Sequence, residues 1–401
     1  MASEWAQLPP DLIEAIANRI TVYIDYIWFR AVCVSWRSAV PKFPNHNHLP
    51  LQLPWLMVPS IGKDCESQIR FFSPSENKYH LLELPECRGK RVCGSSLGWL
   101  LMLERGPAIN LFNPFTRTLI PLPPLTAFPH VEFRPSIGNK EFIFLARCRQ
   151  YTYSFRPMHD FFIRKMVLSS SPSSSSSSRS LKNKIEEGDD YMVVAILRFR
   201  ELVFMKKGDQ FWTLISDPEF EFENGIFHKG RFFAVDIRSR VAVCDFDGPS
   251  PKVTLLLPGP EVNVGLSDLY LVDCSGILLL VKQYTGTTDY ITKKFMVYKL
   301  DQSGLEWHWK KVRYLGSRAL FLGPNSSVSV LTDRFHRCQR NCIYFADYYS
   351  DGQIHNSIGG HDLRVFNLNY GSIKTLPCNL RQYCALDWSP PIWITPNPTQ
   401  K

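Results

Sequence analysis

The densest group of possible metal ligands lies in the run FHRCQRNC, which brings together His336, Cys338 and Cys342. Two more histidines, His355 and His361, follow further along the chain. Zinc ribbons usually need two pairs of thiols, with two to four residues between the members of each pair. This segment offers one such pair, so the sequence favours reduced cysteines in a loop or strand over a zinc site. We therefore expect no bound metal.

A hydrolase would need a nucleophile, a histidine and a carboxylate brought together by the fold. The chain has serines, aspartates and 10 histidines, but it has no P-loop and no dinucleotide-binding glycine fingerprint. We also expect no GxSxG nucleophile elbow, and no sequence context marks a reactive serine beside a histidine. The sequence therefore predicts a non-enzymatic protein without a cofactor.

The charge balance argues against nucleic acid as a partner. Of the 401 residues, 46 are basic and 37 are acidic, which gives a formal net charge of +9. Sequence-independent nucleic-acid binding usually needs a concentrated basic stripe. The densest basic runs here are only WKKVR and RCRQ. We expect no nucleic-acid partner.

The sequence also predicts no secretion signal and no membrane span. Glu4, Gln7 and Asp11 interrupt the N-terminus where a signal peptide has its apolar core. The strongest apolar stretch, LYLVDCSGILLLV, is broken by polar residues and is shorter than the ~20 residues of a membrane span. We therefore expect no membrane contact and a location in the nucleus, the cytoplasm or both.

The N-terminal segment has the pattern of a compact helical block. Pro9 suits the start of a helix, where a missing N–H costs nothing, and Asp11 favours the positive end of the helix dipole. Ile13, Ile16 and Ile20 recur at helical spacing. A block this small buries too little surface to be stable alone. Its apolar side chains must therefore pack on the rest of the chain or on a partner protein.

This block resembles an F-box. The F-box pattern is Leu-Pro, an acidic residue, spaced aliphatic residues, a second acidic residue, then Val-Cys and Trp-Arg. The residues that carry the pattern here are Leu8, Pro9, Asp11, Leu12, Ile13, Ile16, Ile20, Asp25, Phe29, Arg30, Val32, Cys33, Trp36 and Arg37. One departure is the bulky run YIDYIW between the first two predicted helices. We assign the F-box to residues 1–45 and expect three helices there.

The resemblance implies docking on a small Skp-type adaptor, which links F-box proteins to the cullin and RING subunits of a ubiquitin ligase. The residues expected to bind this adaptor are Leu8, Pro9, Asp11, Leu12, Ile13, Ile16, Ile20, Val32, Cys33 and Trp36. Within this set, Leu8 and Pro9 would make the first contact, and Ile13, Ile16 and Ile20 would form a buried stripe. Val32, Cys33 and Trp36 serve either the interface or internal packing, and the sequence leaves both roles open.

Beyond the helical block, short β-like runs replace the helical period. Four segments share an aromatic strand, a polar turn and a strand ending in Leu-Pro, which is the pattern of a β-hairpin. They are FFSPSENKYHLLELP, LFNPFTRTLIPLP, CDFDGPSPKVTLLLP and VFNLNYGSIKTLP. More apolar strands recur about every 40–50 residues, apart from a longer last interval. Their sequences are WLLML, FIFLA, YMVVAI, FFAVDI, ILLLV and IYFAD.

Repeating β units of this length are typical of propeller blades. We therefore predict a mainly β protein, with a small all-α F-box followed by a β-propeller of six or seven blades. An irregular pair of β-sandwiches is the alternative. The predicted boundaries are a linker at 46–60 and a propeller at 61–401. A Ser-rich segment at 169–190 is predicted to be a disordered insertion within the propeller, because similar strands lie on both sides of it.

The β body resembles the KIB-type, kelch-related propeller of a plant family of F-box proteins. The segments that carry this resemblance are GWLLMLERGPAINLFNPFTRTLIPLP, GHDLRVFNLNYGSIKTLPCNL and PPIWITP. Together with the F-box, the resemblance covers nearly the whole chain. It implies the substrate-recognition subunit of an SCF-type (Skp-cullin-F-box) E3 ubiquitin ligase, whose propeller binds a target protein. The alternative is a propeller that binds a ligand or glycan, or a propeller hydrolase, independently of a ligase.

Overall fold

A computed structural model of the chain describes residues 4–20, 22–41, 52–58, 68–104, 106–135, 140–146, 149–154, 162–172, 190–215, 217–248, 250–260, 267–288, 291–303, 306–324, 326–333, 335, 337–348, 361–378 and 391–396. Within these residues, three α-helices are followed by 28 β-strands.

The three helices lie at the N-terminus, as predicted. They are α1 (Pro10–Ala17), α2 (Tyr23–Ala31) and α3 (Val34–Ala39), and a single turn of 3-10 helix precedes them. Pro10 takes the first position of α1, where no backbone N–H is needed. The run YIDYIW, which we had placed between two helices, is instead the start of α2. None of the helices in the described part of the chain is long and apolar enough to cross a membrane.

The strands follow in short antiparallel sheets. In chain order they are β1 (Trp55–Val58), β2 (Gln68–Ser73), β3 (Lys78–Glu83), β4 (Arg91–Ser96), β5 (Trp99–Leu103), β6 (Ile109–Asn113), β7 (Thr118–Leu122), β8 (Val131–Pro135), β9 (Lys140–Ala146), β10 (Arg149–Ser154), β11 (Ile163–Leu168), β12 (Met192–Leu197), β13 (Leu202–Lys206), β14 (Thr213–Ile215), β15 (Phe222–His228), β16 (Arg231–Asp236), β17 (Val241–Asp245), β18 (Lys252–Leu257), β19 (Ser267–Cys274), β20 (Ile277–Thr285), β21 (Thr292–Ser303), β22 (Glu306–Val312), β23 (Arg318–Leu322), β24 (Val328–Leu331), β25 (Cys342–Tyr348), β26 (His361–Asn367), β27 (Ile373–Thr375) and β28 (Ile392–Ile394).

Six of the sheets are propeller blades. Blade 1 has the strand order β28-β1-β2-β3, blade 2 contains β4 to β7, and blade 3 contains β11 to β14. Blade 4 contains β15 to β18, and blade 5 contains β19 to β22. Blade 6 has the order β24-β23-β25-β26-β27, with a parallel pair between β23 and β25.

The six blades form a closed ring. Each pair of neighbouring blades shares a cluster of buried apolar side chains, including the pair formed by blade 6 and blade 1. In that last pair, Phe321 of β23 packs edge-on against Trp393 of β28, with ring centroids 5.0 Å apart. The mainly β propeller prediction is therefore confirmed, and the described residues form six blades.

The remaining sheet, β8 to β10, lies outside the ring. Blade 2 contacts blade 3 directly through β4 and β11, which leaves no place for a blade between them. Phe144 of β9 instead packs on Phe162 at the start of blade 3, with ring centroids 5.2 Å apart. This sheet contains the run FIFLA, which the sequence had suggested as a blade strand. The other five recurring runs lie in interior strands of blades 2 to 6.

Blade 1 is assembled from both ends of the chain. Its inner strand, β28, pairs antiparallel with β1, so that Trp393 lies opposite Leu56. Strand β1 falls inside the segment 46–60, which the sequence had suggested as a linker. The propeller therefore begins at β1 rather than at residue 61. Pairing between the two ends of the chain completes blade 1 and thereby closes the ring.

All four hairpins predicted from the sequence are present, as the outer two strands of blades 1, 2, 4 and 6. Asparagine shapes the turn in two of them. Asn113 accepts hydrogen bonds from the N–H groups two and three residues further on, at 3.0 and 3.1 Å. Asn367 makes the same pair of bonds at 3.0 and 3.1 Å. Gly371, with φ of 64°, then supplies the left-handed conformation that leads into the last strand.

The Ser-rich segment lies between β11 and β12, which pair with each other along blade 3. Leu168 at the end of β11 lies opposite Val193 at the start of β12. The segment is therefore an insertion within one blade rather than a linker between domains. Residues 173–189, on which the prediction of disorder falls, lie outside the described residues.

Truncation of Trp393 should weaken the closure of the ring. Its side chain is 1% exposed and contacts Phe321 and Tyr344. Trp393→Ala would leave a cavity there, which should lower the free energy of unfolding by about 3–5 kcal/mol. Trp307→Ala is the matched control, because Trp307 lies on the outer strand β22 and is 41% exposed. Urea denaturation followed by circular dichroism should give a much larger loss for Trp393→Ala, and equal losses would contradict this account of closure.

Candidate functional site

The three N-terminal helices share a small core of their own. Its buried members are Ile13, Ala17, Tyr26, Phe29 and Val40. The Tyr26 hydroxyl donates a hydrogen bond to the carbonyl oxygen of Pro41 at 2.8 Å, which ties the segment after α3 to α2. The bundle therefore has a defined inside and outside, and each predicted adaptor-binding residue can be assigned to one of them.

Several of the predicted adaptor-binding residues pack inward. Ile13 is 1% exposed, and Leu8 and Ile20 are partly buried against the same core. Trp36 packs in a tilted arrangement on Phe29, with ring centroids 4.5 Å apart, and its indole N–H donates a hydrogen bond to a backbone carbonyl at 2.8 Å. These side chains hold the helices together. The three isoleucines of the predicted stripe are thus divided, because Ile16 points outward.

Among the side chains that the structure describes in and between the helices, four large aliphatic ones stay exposed. Leu12 and Ile16 are 52% and 40% exposed, and they lie one helical turn apart on the same side of α1. Val32 and Val34 are 59% and 77% exposed where α2 passes into α3. We name Leu12, Ile16, Val32 and Val34 the apolar face. Exposed aliphatic side chains that form a contiguous patch usually mark a protein interface, so these four are candidates for one.

The predicted adaptor-binding residues that belong neither to the helical core nor to the apolar face are Pro9, Asp11 and Cys33. Pro9 and Asp11 are exposed at the start of α1, and Cys33 is partly exposed between two members of the face. The hydroxyl of Ser35 lies 3.0 Å from the Cys33 sulfur and, with nearby backbone N–H groups, lowers the pKa of the thiol below its ordinary value. Polar groups therefore border the aliphatic side chains, as at the rim of many protein interfaces.

Helix α2 also packs on the propeller. Tyr23 is 2% exposed and belongs to the apolar cluster between blades 1 and 2, where its ring lies 6.2 Å from that of Phe115. Further along α2, the ring of Trp28 lies 5.7 Å from that of His80 on β3. His80 in turn stacks on Trp55 of β1 at 4.2 Å. These rings fix the orientation of α2 relative to blades 1 and 2.

Charged groups flank this aromatic junction. The Nε2 atom of His80 lies 3.2 Å from a carboxylate oxygen of Glu76, in the turn between β2 and β3. Burial and the nearby Glu76 carboxylate raise the pKa of Asp25 on α2 above its ordinary value. The carbonyl oxygen of Glu76 also accepts a hydrogen bond from Arg337 of blade 6 at 2.9 Å. The helices are therefore linked through blade 1 to the blade on its other side.

Residues 71–367 match the KIB1-4 beta-propeller family. The chain belongs to this family. The F-box protein SKIP23 of Arabidopsis thaliana is 26% identical over 426 residues, which cover 98% of this chain and 96% of SKIP23. F-box protein At2g17036 of the same plant is 27% identical over 432 residues, covering 98% of this chain and 95% of the relative. These findings confirm the sequence resemblance to a plant F-box protein with a KIB-type propeller.

The family also indicates the general role. F-box proteins with a β-propeller act, at the level of the family, as substrate adaptors of SCF ligases, and F-box proteins in general bind a Skp-type adaptor. Such F-box propeller proteins are typically non-catalytic.

One correction concerns the hydrolase alternative for this KIB-type protein. The run GSSLG at residues 94–98 fits the GxSxG pattern, so the expectation that the chain lacks such a run is wrong. A nucleophile elbow joins a strand to a helix, whereas Ser96 ends β4 just before the turn into β5. Ser96 is 3% exposed and accepts a hydrogen bond from the N–H of Leu168 at 3.1 Å. In this position Ser96 joins blades 2 and 3.

A buried histidine that pairs with a partly exposed carboxylate also has a structural place in the KIB-type propeller. The Nδ1 atom of His228 on blade 4 lies 2.7 Å from a carboxylate oxygen of Asp273 on blade 5. Asp273 also accepts a hydrogen bond from the N–H of Gly276 at 2.8 Å. Within the described residues, the other ring contact of His228 is Phe233. The pair links two blades, and neither of its members makes a hydrogen bond to a serine hydroxyl of the described residues.

The predicted cysteine pair lies in blade 6. Cys338 and Cys342 are buried thiols, and burial raises the pKa of Cys338 to about 12 and that of Cys342 to about 11. Such thiols are poor metal ligands, since a metal binds the thiolate. Among the described residues, no group of three or more His, Cys, Asp or Glu side chains could hold a metal ion. His336 and His355 lie outside the described residues.

Removal of the Tyr23 ring should loosen the F-box from the propeller. Tyr23→Ala deletes the side chain that α2 inserts between blades 1 and 2, so local opening of the helices should become easier while the propeller stays folded. Limited trypsin digestion should cleave after Arg30 and Arg37 at least about tenfold faster in this variant. Tyr23→Phe keeps the ring and should digest like the unchanged protein. Cleavage at an unchanged rate in Tyr23→Ala would contradict the junction.

Proposed function

We propose that this protein is the substrate-recognition subunit of an SCF-type E3 ubiquitin ligase. Its F-box docks on a Skp-type adaptor, which links it to the cullin and RING subunits, and its propeller binds a target protein for ubiquitination. The protein itself performs no covalent chemistry. It raises the local concentration of the target beside the ubiquitin-loaded enzyme, so the rate gain comes from proximity. This role places it in the nucleus, the cytoplasm or both.

The exposed apolar face is the observation that carries this proposal. The helices leave Leu12, Ile16, Val32 and Val34 well exposed, although they bury Ile13 in a core of their own. Exposure of these aliphatic side chains is unfavourable in the isolated protein and becomes favourable when a partner covers them. Pro9, Asp11 and Cys33 border the face and belong to the same proposed interface. The proposed interface is supported from inside the helical bundle by the packing of Leu8, Ile13, Ile20 and Trp36.

We infer that the target binds at the end of the propeller opposite the F-box. The F-box helices contact blades 1 and 2 near the turns that join the outer two strands of each blade. Because neighbouring strands are antiparallel, the loops between second and third strands lie at the opposite end of each four-stranded blade. In blade 4 that loop exposes Ile237 and Arg238. Apolar side chains and arginines of this kind are frequent anchors of protein interfaces.

Charge substitution on the apolar face should abolish adaptor binding. Leu12→Glu with Ile16→Glu would place two carboxylates in a desolvated interface, so affinity for a purified Skp-type adaptor should fall at least about 30-fold. The matched control is Leu255→Glu with Ile277→Glu, since these residues lie on the propeller and are 52% and 46% exposed. Its affinity should stay within about twofold of the unchanged protein.

Calorimetric titration of the full chain with the adaptor measures both variants, and thermal unfolding checks that each is folded. The proposal fails if the folded unchanged protein does not bind the adaptor. It also fails if the propeller pair weakens binding as much as the F-box pair.

A further inference from the structure

One inner strand of the propeller carries a buried lysine. Lys165 lies on β11, the inner strand of blade 3, which contacts the inner strands of blades 2 and 4. The residue is 4% exposed, and its amine lies 5.8 Å from the ring centroid of Tyr270. Tyr270 lies on β19, the inner strand of blade 5. The side chain of Lys165 therefore reaches past blade 4 into the central channel of the ring.

The amine of Lys165 has no hydrogen-bond partner among the described residues. Burial lowers the pKa of this amine to about 7, so a substantial fraction still carries a proton near neutral pH. A buried ammonium group is costly unless an opposite charge or acceptor atoms meet it. The face of the Tyr270 ring offsets only part of that cost.

A second buried lysine shows what a satisfied amine looks like in this protein. Lys282 on β20 is 2% exposed, and its amine donates a hydrogen bond to the carbonyl oxygen of Pro260 at 2.9 Å. Both lysines are buried, so burial alone does not distinguish their environments. The difference is that the chain provides an acceptor for Lys282, whereas its described residues provide none for Lys165.

We propose that the central channel binds a small oxyanion group at Lys165, either a phosphate or a carboxylate. The group is a free anion or belongs to a side chain of the target protein. An oxyanion supplies both the acceptor atoms and the negative charge that the amine lacks. A neutral ligand would supply acceptors without the charge. This site does not depend on adaptor binding.

Thermal unfolding of the full chain tests the proposal. Inorganic phosphate should raise Tm by about 2 °C or more relative to sodium chloride of equal ionic strength. N-acetyl-phosphoserine amide and N-acetyl-glutamate amide are the side-chain probes. Stronger stabilisation by these two would identify a target side chain, and stronger stabilisation by inorganic phosphate would identify a free anion.

Lys165→Met should abolish the response, while Lys282→Met is the matched control and should retain it. Titration calorimetry at pH 7.5 in buffers of different ionisation enthalpy adds a readout on the unchanged protein. Binding of an anion raises the pKa of Lys165, so proton uptake should accompany it. The proposal is overturned if none of the three probes exceeds chloride, if Lys165→Met still responds, or if binding takes up no proton.

Discussion

Pairing of β28 with β1 is the interaction on which the rest of the structure depends. It completes blade 1 from the two ends of the chain and thereby closes the ring of six blades. Blade 1 is also the blade on which α2 rests through Trp28, His80 and Trp55. The same strand pairing that closes the propeller therefore holds the F-box in a fixed orientation. A rigid F-box matters for an adaptor, because it sets the distance and direction between the target and the ligase.

The sequence predicted those features of the fold that depend on neighbouring residues. The outer hairpins were recognisable because Asn113 and Asn367 form their turns with residues close by in the chain. Blade 1 and the closure of the ring were not, since the three residues of β28 carry little pattern and their partner strand lies at the other end of the chain. The run FIFLA was misassigned for a related reason. Its apolar pattern reports a buried strand but not which sheet the strand joins.

The candidate site was predicted as a set of residues but not as a surface. The F-box pattern named both Leu12 and Ile13, and the structure places one outside and the other in the core. The rotation of α1 about its own axis, relative to the neighbouring helices, determines which residue is buried. Sequence spacing alone does not fix this rotation. The junction with the propeller was missed, although its signal was visible as the bulky run YIDYIW. The buried amine of Lys165 had no signal, because strands of different blades bring it and Tyr270 together.

The central claim is that the helices face the ligase while the propeller stays free for a target. Hydrogen exchange of the full chain, measured with and without a purified Skp-type adaptor, tests it most directly. The account predicts that the adaptor slows exchange in the helical segments around Leu12, Ile16 and Val32 and leaves the propeller strands unchanged. Protection confined to the propeller, or no protection in any part of the chain, would contradict it.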